Sequence, residues 1–407
     1  MQGGSRVRSP NLSLVLRQLR DQGPRSRARL ATDLGLTRSA ASTLVAELEE
    51  LGLVRTAGVE RGGVGRPGSL VEIDGRAVCG IGAEINVNHV STIALDLSGQ
   101  VVAEHRLALD AHRLTADEVL DKLAELVRRT DADVRTVGAT PVGLTVGVAG
   151  LLDSAREVLA VGPNLGWRDV PVGAGLRARL GAAYPLGVEN EGNLAAIAEA
   201  VPGDATRQDI LVIFGEVGVG GGIVAGGRLL RGHQGYAGEF GHMIVEPGGR
   251  RCGCGRVGCW ETVAGLRALL DAAADPDDPV RDPALSLDDR IAEINRRADL
   301  GDTRTRAALD QVAGWIGVGA ALLTNALNPA AIVLSGYFAG LGQQLRPLIE
   351  EQLQAGVLAP YSGGTRVEFS TLGFTAAVRG GAAVALEAVF DDPTLVAPRA
   401  ALVGGTR

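Results

Sequence analysis

Long hydrophobic runs are missing from this sequence of 407 residues. Its longest apolar stretch, Ala313–Gly336, is interrupted by polar residues and by Pro329, a pattern that predicts a buried helix followed by a strand rather than a membrane span. Near the N-terminus, Arg6 and Arg8 lead into no long apolar run with a cleavage site, so no signal peptide is predicted. We therefore expect a cytoplasmic protein.

Cysteine and lysine are also scarce. Lys122 is the only lysine, and we attribute the dominance of arginine to a GC-rich coding sequence rather than to function. Of the four cysteines, three lie within residues 252–259. In a reducing cytoplasm such a cluster indicates a metal site more often than a disulfide framework. The fourth, Cys79, stands alone in an apolar segment and is expected in the core.

Charge is distributed unevenly along the chain. The whole chain carries a net charge of −7, but residues 1–70 hold 11 arginines and 6 acidic residues, a net +5 that leaves −12 for the remainder. A chain of this length predicts two or three domains, and its 46% apolar and 21% charged residues are typical of soluble globular proteins. A basic head on an acidic body indicates that only the head meets a polyanion.

The basic head carries the pattern of a helix-turn-helix. Apolar residues at helical spacing predict a first helix over Leu12–Leu19, a second over Arg27–Leu34 and a third that starts after Thr37. A tight turn at Gly35 separates the second helix from the third, as in DNA-binding proteins. The third helix would present short polar groups and one guanidinium to a major groove, namely Arg38, Ser39, Ser42 and Thr43.

A glycine-rich hairpin follows these helices. Strands over Leu53–Thr56 and Leu70–Ile73 would flank a loop in which Arg61 and Arg66 could lie along a minor groove or the DNA backbone. Together these elements predict a winged helix-turn-helix over residues 1–74. The alternative is a small helical bundle with a flexible loop, which a salt-sensitive shift of promoter DNA would exclude.

Strands alternate with helices from residue 78 onward, which predicts an α/β body in two lobes with a ligand in the cleft between them. The glycine-rich segment Gly218–Gly222 reads as a tight turn between two strands. Such a turn can expose backbone N–H groups to phosphate, although many are only tight hairpins.

One histidine and three cysteines form the strongest local motif of the chain. Gly238-Glu239-Phe240-Gly241-His242 precedes a run with cysteines at 252, 254 and 259. One imidazole and three thiolates match a closed, four-coordinate and therefore structural zinc site. The alternative is a loop with free or disulfide-bonded cysteines. The predicted zinc ligands are His242, Cys252, Cys254 and Cys259.

From Leu12 to about Val389 the chain resembles the ROK family (repressors, open reading frames and sugar kinases), specifically its transcriptional-regulator branch. The resemblance implies an actin-like, ribonuclease-H-like two-lobed α/β sugar-kinase body, usually as a homodimer or homotetramer. We expect a first lobe at 75–196, completed by a C-terminal helix around 376–390, a second lobe with the zinc site at 197–375, and a flexible tail at 391–407. The motifs that carry the resemblance are the histidine–cysteine cluster, Val188–Ala196, Pro163–Trp167 and Gly65-Arg66-Pro67.

The resemblance also implies which residues hold sugar hydroxyls in the cleft. They match Asn164, Asn190, Glu191, Glu239, His242 and Glu261. Carboxylates accept pairs of hydrogen bonds from neighbouring hydroxyls of a pyranose. His242 could bind zinc through one ring nitrogen and sugar through the other. Trp167 either lines the same pocket or forms a packing wall.

The nucleotide-binding motif of the family's kinases is degraded here. Those kinases carry Asp-x-Gly-Gly-Thr-Lys on the first strand turn, whereas this chain has Glu84–His89, with a branched Val87 where phosphate needs bare backbone. Glu191 stands where the kinases have a catalytic aspartate, so a displaced base remains. We therefore expect a sugar-responsive DNA-binding regulator, a repressor without kinase activity, which binds a mono- or disaccharide or its phosphate. The alternatives are an ATP-dependent sugar kinase, bifunctional or not, and a DNA-binding protein with a ligand-free body.

Overall fold

The computed structural model describes residues 5–59, 69–153, 155–181, 184–282, 285–358 and 364–398. Within these residues the chain folds into an N-terminal head and a body with two five-stranded sheets. The helix Thr303–Leu327 and the segment Gly373–Asp391 are long and apolar enough to cross a membrane. In each, 61% of the most apolar window is buried inside the protein, as expected for core helices of a soluble protein.

The head combines three helices with a small antiparallel sheet. Its helices are α1 (Ser5–Gln22), α2 (Arg27–Asp33) and α3 (Arg38–Glu50). Its strands are β1 (Arg25–Ser26), β2 (Val54–Val59) and β3 (Ser69–Ile73), in the order β1-β3-β2. The predicted loop between β2 and β3, with Arg61 and Arg66, lies outside the described residues.

Short polar side chains set the starts of the second and third helices. Ser26 Oγ accepts a hydrogen bond from the Arg29 backbone N–H at 3.4 Å, and Thr37 Oγ1 accepts one from Ala40 at 3.2 Å. Each cap satisfies a backbone donor that the first helical turn leaves unpaired. Behind the caps, leucines from all three helices are fully buried, among them Leu12, Leu16, Leu30 and Leu48. The predicted helix-turn-helix is confirmed.

The first sheet of the body mixes parallel and antiparallel strands. Its order is β11-β7-β4-β5-β6, in which β11, β7 and β4 run parallel and β4, β5 and β6 form an antiparallel meander. The bounds are β4 (Val78–Ile85), β5 (His89–Asp96), β6 (Val101–Ala108), β7 (Thr140–Val148) and β11 (Leu186–Asn190). A smaller sheet adds β8 (Leu151–Asp153), β9 (Val158–Gly162) and β10 (Trp167–Val170). The accompanying helices are α4 (Ala116–Thr136), α5 (Val172–Leu180) and α6 (Glu191–Glu199).

The second sheet repeats this plan with a larger helical layer. Its order is β14-β13-β12-β15-β16, with β12, β15 and β16 parallel. The bounds are β12 (Ile210–Gly215), β13 (Val219–Ala225), β14 (Arg228–Leu229), β15 (Ala331–Gly336) and β16 (Arg366–Phe369). The helices are α7 (Glu261–Ala264), α8 (Leu266–Ala273), α9 (Leu287–Asp299), α10 (Thr303–Leu327), α11 (Tyr337–Gly340) and α12 (Gly342–Gly356). Two such sheets with helices confirm the predicted two-lobed α/β body.

The glycine run after β12 differs from the sequence expectation. We expected a tight turn over Gly218–Gly222, but β13 begins at Val219 and pairs with β12, so most of these glycines lie in a strand. Their role is close packing. A Cβ on Gly222 would stand 2.7 Å from Cβ of Ala196, and one on Gly221 would stand 2.1 Å from a backbone oxygen of β12. The glycines therefore let α6 lie directly on β13.

Helix α13 (Ala376–Asp391) returns the chain to the first sheet. A Cβ on Gly82 of β4 would be 1.7 Å from the Val378 carbonyl oxygen, so strand and helix are in backbone contact. The same helix packs on α6, because a Cβ on Gly380 would be 1.9 Å from the Leu194 carbonyl oxygen. Helix α6 continues to Glu199, so the predicted lobe boundary after residue 196 falls inside a helix.

The start of the predicted flexible tail is packed against the head. Val396 is 6% exposed and belongs to the same apolar cluster as helix α1, and Asp392 accepts a hydrogen bond from Ser9 Oγ at 2.5 Å. The expectation of a flexible tail from residue 391 was therefore wrong for its first residues, because the sequence hides this long-range partner. Residues 399–407 lie outside the described part of the chain.

Head and body share a continuous interface. Arg17 of α1 forms ion pairs with Glu387 and Asp391 of α13, at 2.5 and 2.7 Å. Arg20 pairs with Glu387 at 3.0 Å, and its guanidinium lies 4.6 Å from the ring centre of Phe390. Beneath these pairs, apolar side chains of α1, β4, β5 and α13 form one cluster. The linker at Asp74-Gly75 is therefore not the only connection between the head and the body.

Candidate functional site

A cleft of about 650 Å³ opens between the two sheets. It lies where β4, β7, β11 and β12 end, which is where ligands bind in sheets with parallel strands. All six residues predicted to bind sugar line it: Asn164, Asn190, Glu191, Glu239, His242 and Glu261.

Asn190 and Glu191 stand at the junction of β11 and α6. Asn190 is the N-cap of α6, and its Oδ1 accepts from Gly192 and Asn193 at 2.8 and 3.2 Å. Its Nδ2 donates to the Gly150 carbonyl at 3.0 Å, which leaves one amide hydrogen for a ligand. The cap aims the first side chain of the helix, Glu191, into the cleft.

Glu239 and His242 are carried by a short 3-10 turn, Phe240–His242, that presses on β13. A Cβ on Gly241 would be 1.8 Å from the Val219 carbonyl oxygen, so only glycine allows this approach. His242 Nε2 lies 4.0 Å from Glu239 Oε2, and both groups face the cleft. Burial raises the pKa of Glu239. A carboxyl and an imidazole thus offer paired positions for ligand hydroxyls.

The predicted histidine–cysteine cluster is assembled next to the cleft. One donor atom from each of its four residues lies within 4.8 Å of all the others. Cys254 Sγ and Cys259 Sγ are 3.7 Å apart, and Cys252 Sγ is 3.6 Å from His242 Nδ1. Two thiolates on a tetrahedral zinc ion stand about 3.8 Å apart, given a Zn–S bond of about 2.3 Å. The donors present fit a four-coordinate zinc site.

His242 joins the cluster to the cleft. Its Nδ1 points at Cys252, while its Nε2 points toward Glu239, so one ring nitrogen is available to each site. The cluster is anchored in the second lobe by Trp260, which is fully buried and donates from Nε1 to the Trp315 carbonyl at 2.8 Å. A metal held here would fix the position of the His242 ring.

Glu261, which was predicted to bind sugar, also contacts the histidine–cysteine cluster. Its Oε1 accepts from the Cys252 thiol at 2.7 Å and lies 3.6 Å from His242 Nδ1. Its Oε2 faces Gly218, where a Cβ would come within 2.2 Å. One oxygen of Glu261 therefore contacts the cluster, while its side chain also lines the cleft.

Trp167 belongs to the core rather than to the cleft. It is 6% exposed within the apolar cluster of the first lobe. One side of it borders a second, wider cavity that adjoins the cleft at Glu239 and His242 and also includes the exposed Arg168 and Arg256. Of the two roles considered for Trp167, the structure favours packing in the core over lining the sugar cleft.

The inner end of the cleft contains carboxyl groups that the sequence analysis missed. Glu84 and Glu216 are 0% and 5% exposed, and they meet Glu191 at the ends of β4 and β12. Asn86 bridges two of them, donating from Nδ2 to Glu84 at 3.3 Å and to Glu191 at 3.4 Å. The position of Glu216 directly after the buried strand β12 was the signal that could have identified it, whereas Glu84 lies within β4 near its end.

These carboxyls do not share one protonation state. Burial and the charge of Glu84 raise the pKa of Glu191 well above its usual value and that of Glu216 to about 7. Burial would also raise the pKa of Glu84, but His89, Asn86 and Arg106 outweigh burial and lower it. Of the three carboxyls, Glu84 is therefore the most readily ionised, and ionisation of Glu191 and Glu216 is disfavoured.

His89 lies beside two of these carboxyls. Glu84, His89 and Glu216 have atoms close enough for a metal site, all within 4.8 Å. However, Arg106 Nη2 lies 3.3 Å from His89 Nδ1, and arginine can only donate, so Nδ1 accepts and the proton is on Nε2. That N–H faces Glu84 Oε2, but at 3.6 Å it is too far for a hydrogen bond, so His89 interacts with Glu84 through an electrostatic contact only.

Two backbone N–H groups of the turn after β4 are already hydrogen-bonded within the turn. The Val87 N–H donates to Asn86 Oδ1 at 2.7 Å, and the Asn86 N–H donates to the His89 carbonyl at 2.9 Å. The two backbone groups nearest the cleft are therefore already paired within the turn. Val87 also lines the cleft with its branched side chain.

In the head, α3 presents the predicted DNA-facing residues on one exposed side: Arg38, Ser39, Ser42 and Thr43. Thr43 Oγ1 donates to the Ser39 carbonyl at 3.1 Å, and Thr37 Oγ1 is 3.1 Å from Ser39 Oγ. The opposite side of the helix is buried in the head. The geometry leaves the N-terminal half of α3 free to enter a groove.

Comparisons with known proteins agree with this arrangement. A sequence profile of the ROK family matches residues 80–388. A xylose repressor from Bacillus spizizenii is 27% identical over 388 residues, 95% of this chain and 97% of the repressor. A glucokinase from Halalkalibacterium halodurans is 34% identical over 249 residues, 59% of this chain and 74% of the kinase.

Among solved structures, a ROK family transcriptional regulator described as a homologue of the E. coli MLC protein has a TM-score of 0.74 at 24% identity. The match covers 95% of this chain and 97% of that one, so the fold extends through head and body. The kinase relative matches only part of the chain, whereas the repressor relative spans nearly all of it. The chain belongs to the ROK family.

Proposed function

We propose that this protein is a sugar-responsive DNA-binding repressor that binds a mono- or disaccharide, or its phosphate, in the interlobe cleft and does not phosphorylate it. The proposal is supported by the convergence on one cleft of the six side chains predicted to bind sugar hydroxyls, in a chain that also has a helix-turn-helix head. The full-length similarity to xylose repressors supports it.

The cleft has the chemistry for a saccharide. Glu239 and Glu191 can accept from pairs of neighbouring hydroxyls, and protonated carboxyls can also donate. Asn190 and His242 offer directed donors from rigid backbone positions. Because these groups are held by a helix cap and a cluster-braced turn, the cost of ordering them on binding is small.

The absence of kinase activity is inferred from the first turn. Its backbone donors are paired with Asn86 and His89, and Val87 fills space that a phosphate needs. The glycines after β12 lie in a strand under α6, so they do not form a second phosphate loop.

The head supplies the DNA contacts. Arg38 and the hydroxyl residues of α3 would meet base edges, and Arg61 and Arg66 of the hairpin loop would follow the backbone or minor groove. We propose a homodimer or homotetramer in the cytoplasm, because two half-sites of an operator need two heads. The histidine–cysteine cluster would hold a structural zinc ion, which stiffens the loop that carries Glu239 and His242.

A physical route connects the two functions. Helix α6 begins with Glu191 in the cleft and lies on α13, and α13 forms ion pairs with α1 of the head. After α6, the chain touches the head directly, since a Cβ on Gly203 would be 2.2 Å from the Asp21 carbonyl oxygen. A shift of α6 on sugar binding would therefore move the head.

The test is DNA binding by fluorescence anisotropy, using the region upstream of the protein's own gene and a panel of sugars. We expect salt-sensitive binding that one sugar weakens. Glu239→Ala should bind DNA normally and fail to respond, whereas Glu104→Ala, on an exposed position of β6, should respond normally. If Glu239→Ala still releases DNA on sugar addition, the pocket assignment is wrong.

The second candidate is an ATP-dependent sugar kinase. It is favoured by Glu191, a carboxyl at the position of a catalytic base, and by the similarity to glucokinases. A coupled assay for ADP over the same sugar panel distinguishes it from the repressor. Turnover above that of a Glu191→Gln control would establish the kinase.

A further inference from the structure

The lining of the cleft is acidic without a compensating cation. Four glutamates line it, at positions 191, 216, 239 and 261, and the only basic side chain in the lining is His242. No arginine or lysine is among the described residues that line it. The cation nearest the inner end, Arg106, is directed at His89 behind the cleft wall and lies 5.9 Å from the ring centre of Phe374.

A phosphate group placed in this cleft would meet four glutamates and only uncharged amide donors and one imidazole, with no arginine or lysine among the described lining residues. A buried anion needs a cation, a metal or several free N–H donors, since otherwise the desolvation penalty is not recovered. In the first turn, the Val87 N–H is already bound by Asn86 and the Asn86 N–H by the His89 carbonyl. Both carboxylate oxygens of Glu216 lack a hydrogen-bond partner, so the inner end already has more acceptors than donors.

The pKa values of the inner carboxyls agree with a site that disfavours additional negative charge. Burial and the charge of Glu84 raise the pKa of both Glu191 and Glu216, so the cavity retains protons instead of adding charge. Protonated or not, these groups can pair with hydroxyls. In their ionised form they only accept hydrogen bonds and repel the oxygens of a phosphate ester.

Within the proposed function, on which this step rests, we infer that the effector is an uncharged saccharide, and that the cleft excludes the phosphate esters of the same sugar. The basic side chains nearest the cleft do not change this inference. Arg168 and Arg256 line the adjoining wider cavity, and Arg250, Arg251 and Arg267 line another cavity that adjoins the cleft at Asn164 and Glu261. All five side chains are exposed, so their attraction for a phosphate is screened by water.

The experiment is isothermal titration of the full-length protein with D-glucose and D-xylose, then with glucose 1-phosphate, glucose 6-phosphate and xylose 1-phosphate. We expect a free sugar to bind and each of its esters to bind roughly 100-fold more weakly, from unpaired like charges a few ångströms apart. An ester that binds as tightly as its sugar, or that binds when neither sugar does, overturns the inference while leaving a sugar-phosphate repressor possible. If no ligand binds, the sugar pocket itself is refuted, and this inference with it.

A variant that lacks one inner carboxyl tests whether repulsion by carboxylates weakens the binding of phosphate esters. Glu216→Gln should reduce the difference between sugar and ester by about tenfold, because it removes a carboxylate from the inner end. The control Glu104→Gln, exposed on β6, should keep the full difference. An unchanged preference in Glu216→Gln, together with unchanged sugar affinity, would overturn the electrostatic explanation.

Discussion

Glutamates lie at both ends of the cleft, but their surroundings differ between the two ends. At the outer end, Glu239 and Glu261 stand beside His242 and the cysteine cluster, on a turn held from outside the pocket. At the inner end, burial and the charge of Glu84 raise the pKa of both Glu191 and Glu216. The outer carboxyls are thus positioned by the loop of the histidine–cysteine cluster, whereas the inner carboxyls are distinguished by burial that disfavours their ionisation.

The largest expected effect comes from removing a cysteine of the histidine–cysteine cluster, which holds the loop that carries Glu239 and His242. Cys259→Ser should abolish the binding of one zinc per chain and weaken sugar binding roughly ten- to hundredfold, because Glu239 and His242 lose their fixed positions. Metal analysis and titration with the bound sugar measure both effects. Cys79→Ala, a matched cysteine in β4 outside the cluster, should keep its zinc. Full sugar affinity in a zinc-free Cys259→Ser protein would contradict the outer-end role.

The next effect concerns a single hydroxyl-binding group. Glu239→Ala should weaken sugar binding roughly 30- to 100-fold, because a buried carboxyl paired with ligand hydroxyls contributes on the order of 2–3 kcal/mol. Titration measures the affinity. Thermal unfolding without sugar should change little, since Glu239 makes no cap hydrogen bond within its turn. A variant with wild-type affinity would place the ligand elsewhere.

A smaller effect, the pH dependence of folding stability, should distinguish the inner end of the cleft from the outer end. The pKa of Glu216 is about 7 in the folded protein against a usual value of 4.5, so the folded state binds more protons between these values. Stability should therefore fall as pH rises from about 4.5 to 7, by at most roughly 3 kcal/mol. We expect Glu216→Gln to recover about 1–2 kcal/mol at pH 8 and almost nothing at pH 5.

Thermal unfolding at both pH values measures this difference. The groups that face Glu216 are Glu84, His89, Arg106 and Asn86, and all of them remain in the variant. The same substitution at the outer end, Glu239→Gln, serves as the comparison for a carboxyl beside the imidazole of His242. Equal gains at pH 5 and pH 8 for Glu216→Gln would show that repulsion between carboxyls is not the cause.

The smallest effect should come from the amide that bridges the inner carboxyls. Asn86→Ala removes two donors, to Glu84 and Glu191, and frees the Val87 N–H. We expect a loss of stability of about 1–2 kcal/mol, measured by thermal unfolding, and no gain of ATP hydrolysis. An Asn86→Ala protein that hydrolyses ATP would show that the paired turn, rather than the missing lysine and glycines, prevents kinase activity.

The sequence was sufficient where the signal is local. The caps Ser26 and Thr37, the apolar stripes of the head and the spacing of Cys252, Cys254 and Cys259 depend on residues a few positions apart. The pocket residues also converge as expected, although their assignment to sugar stays a prediction. Family resemblance, rather than periodicity, identified them.

What could not be predicted depends on contacts between distant segments. The glycines at 218–222 look like a turn until α6 is placed on them, and residues 391–396 look like a tail until α1 covers them. Glu216 and Glu84 are far apart in sequence and become neighbours only when β4 and β12 end at the same cleft. No local pattern encodes such proximity.

The contact between Gly203 and Asp21 provides a short structural connection between the ligand cleft and the head. Helix α6 has 9 residues, so it spans roughly 13 Å from the ligand cleft to the loop that touches the head. This connection lies wholly within one chain. Under the proposed function each head can therefore sense the occupancy of its own cleft, and assembly of subunits serves only to set two heads on one operator.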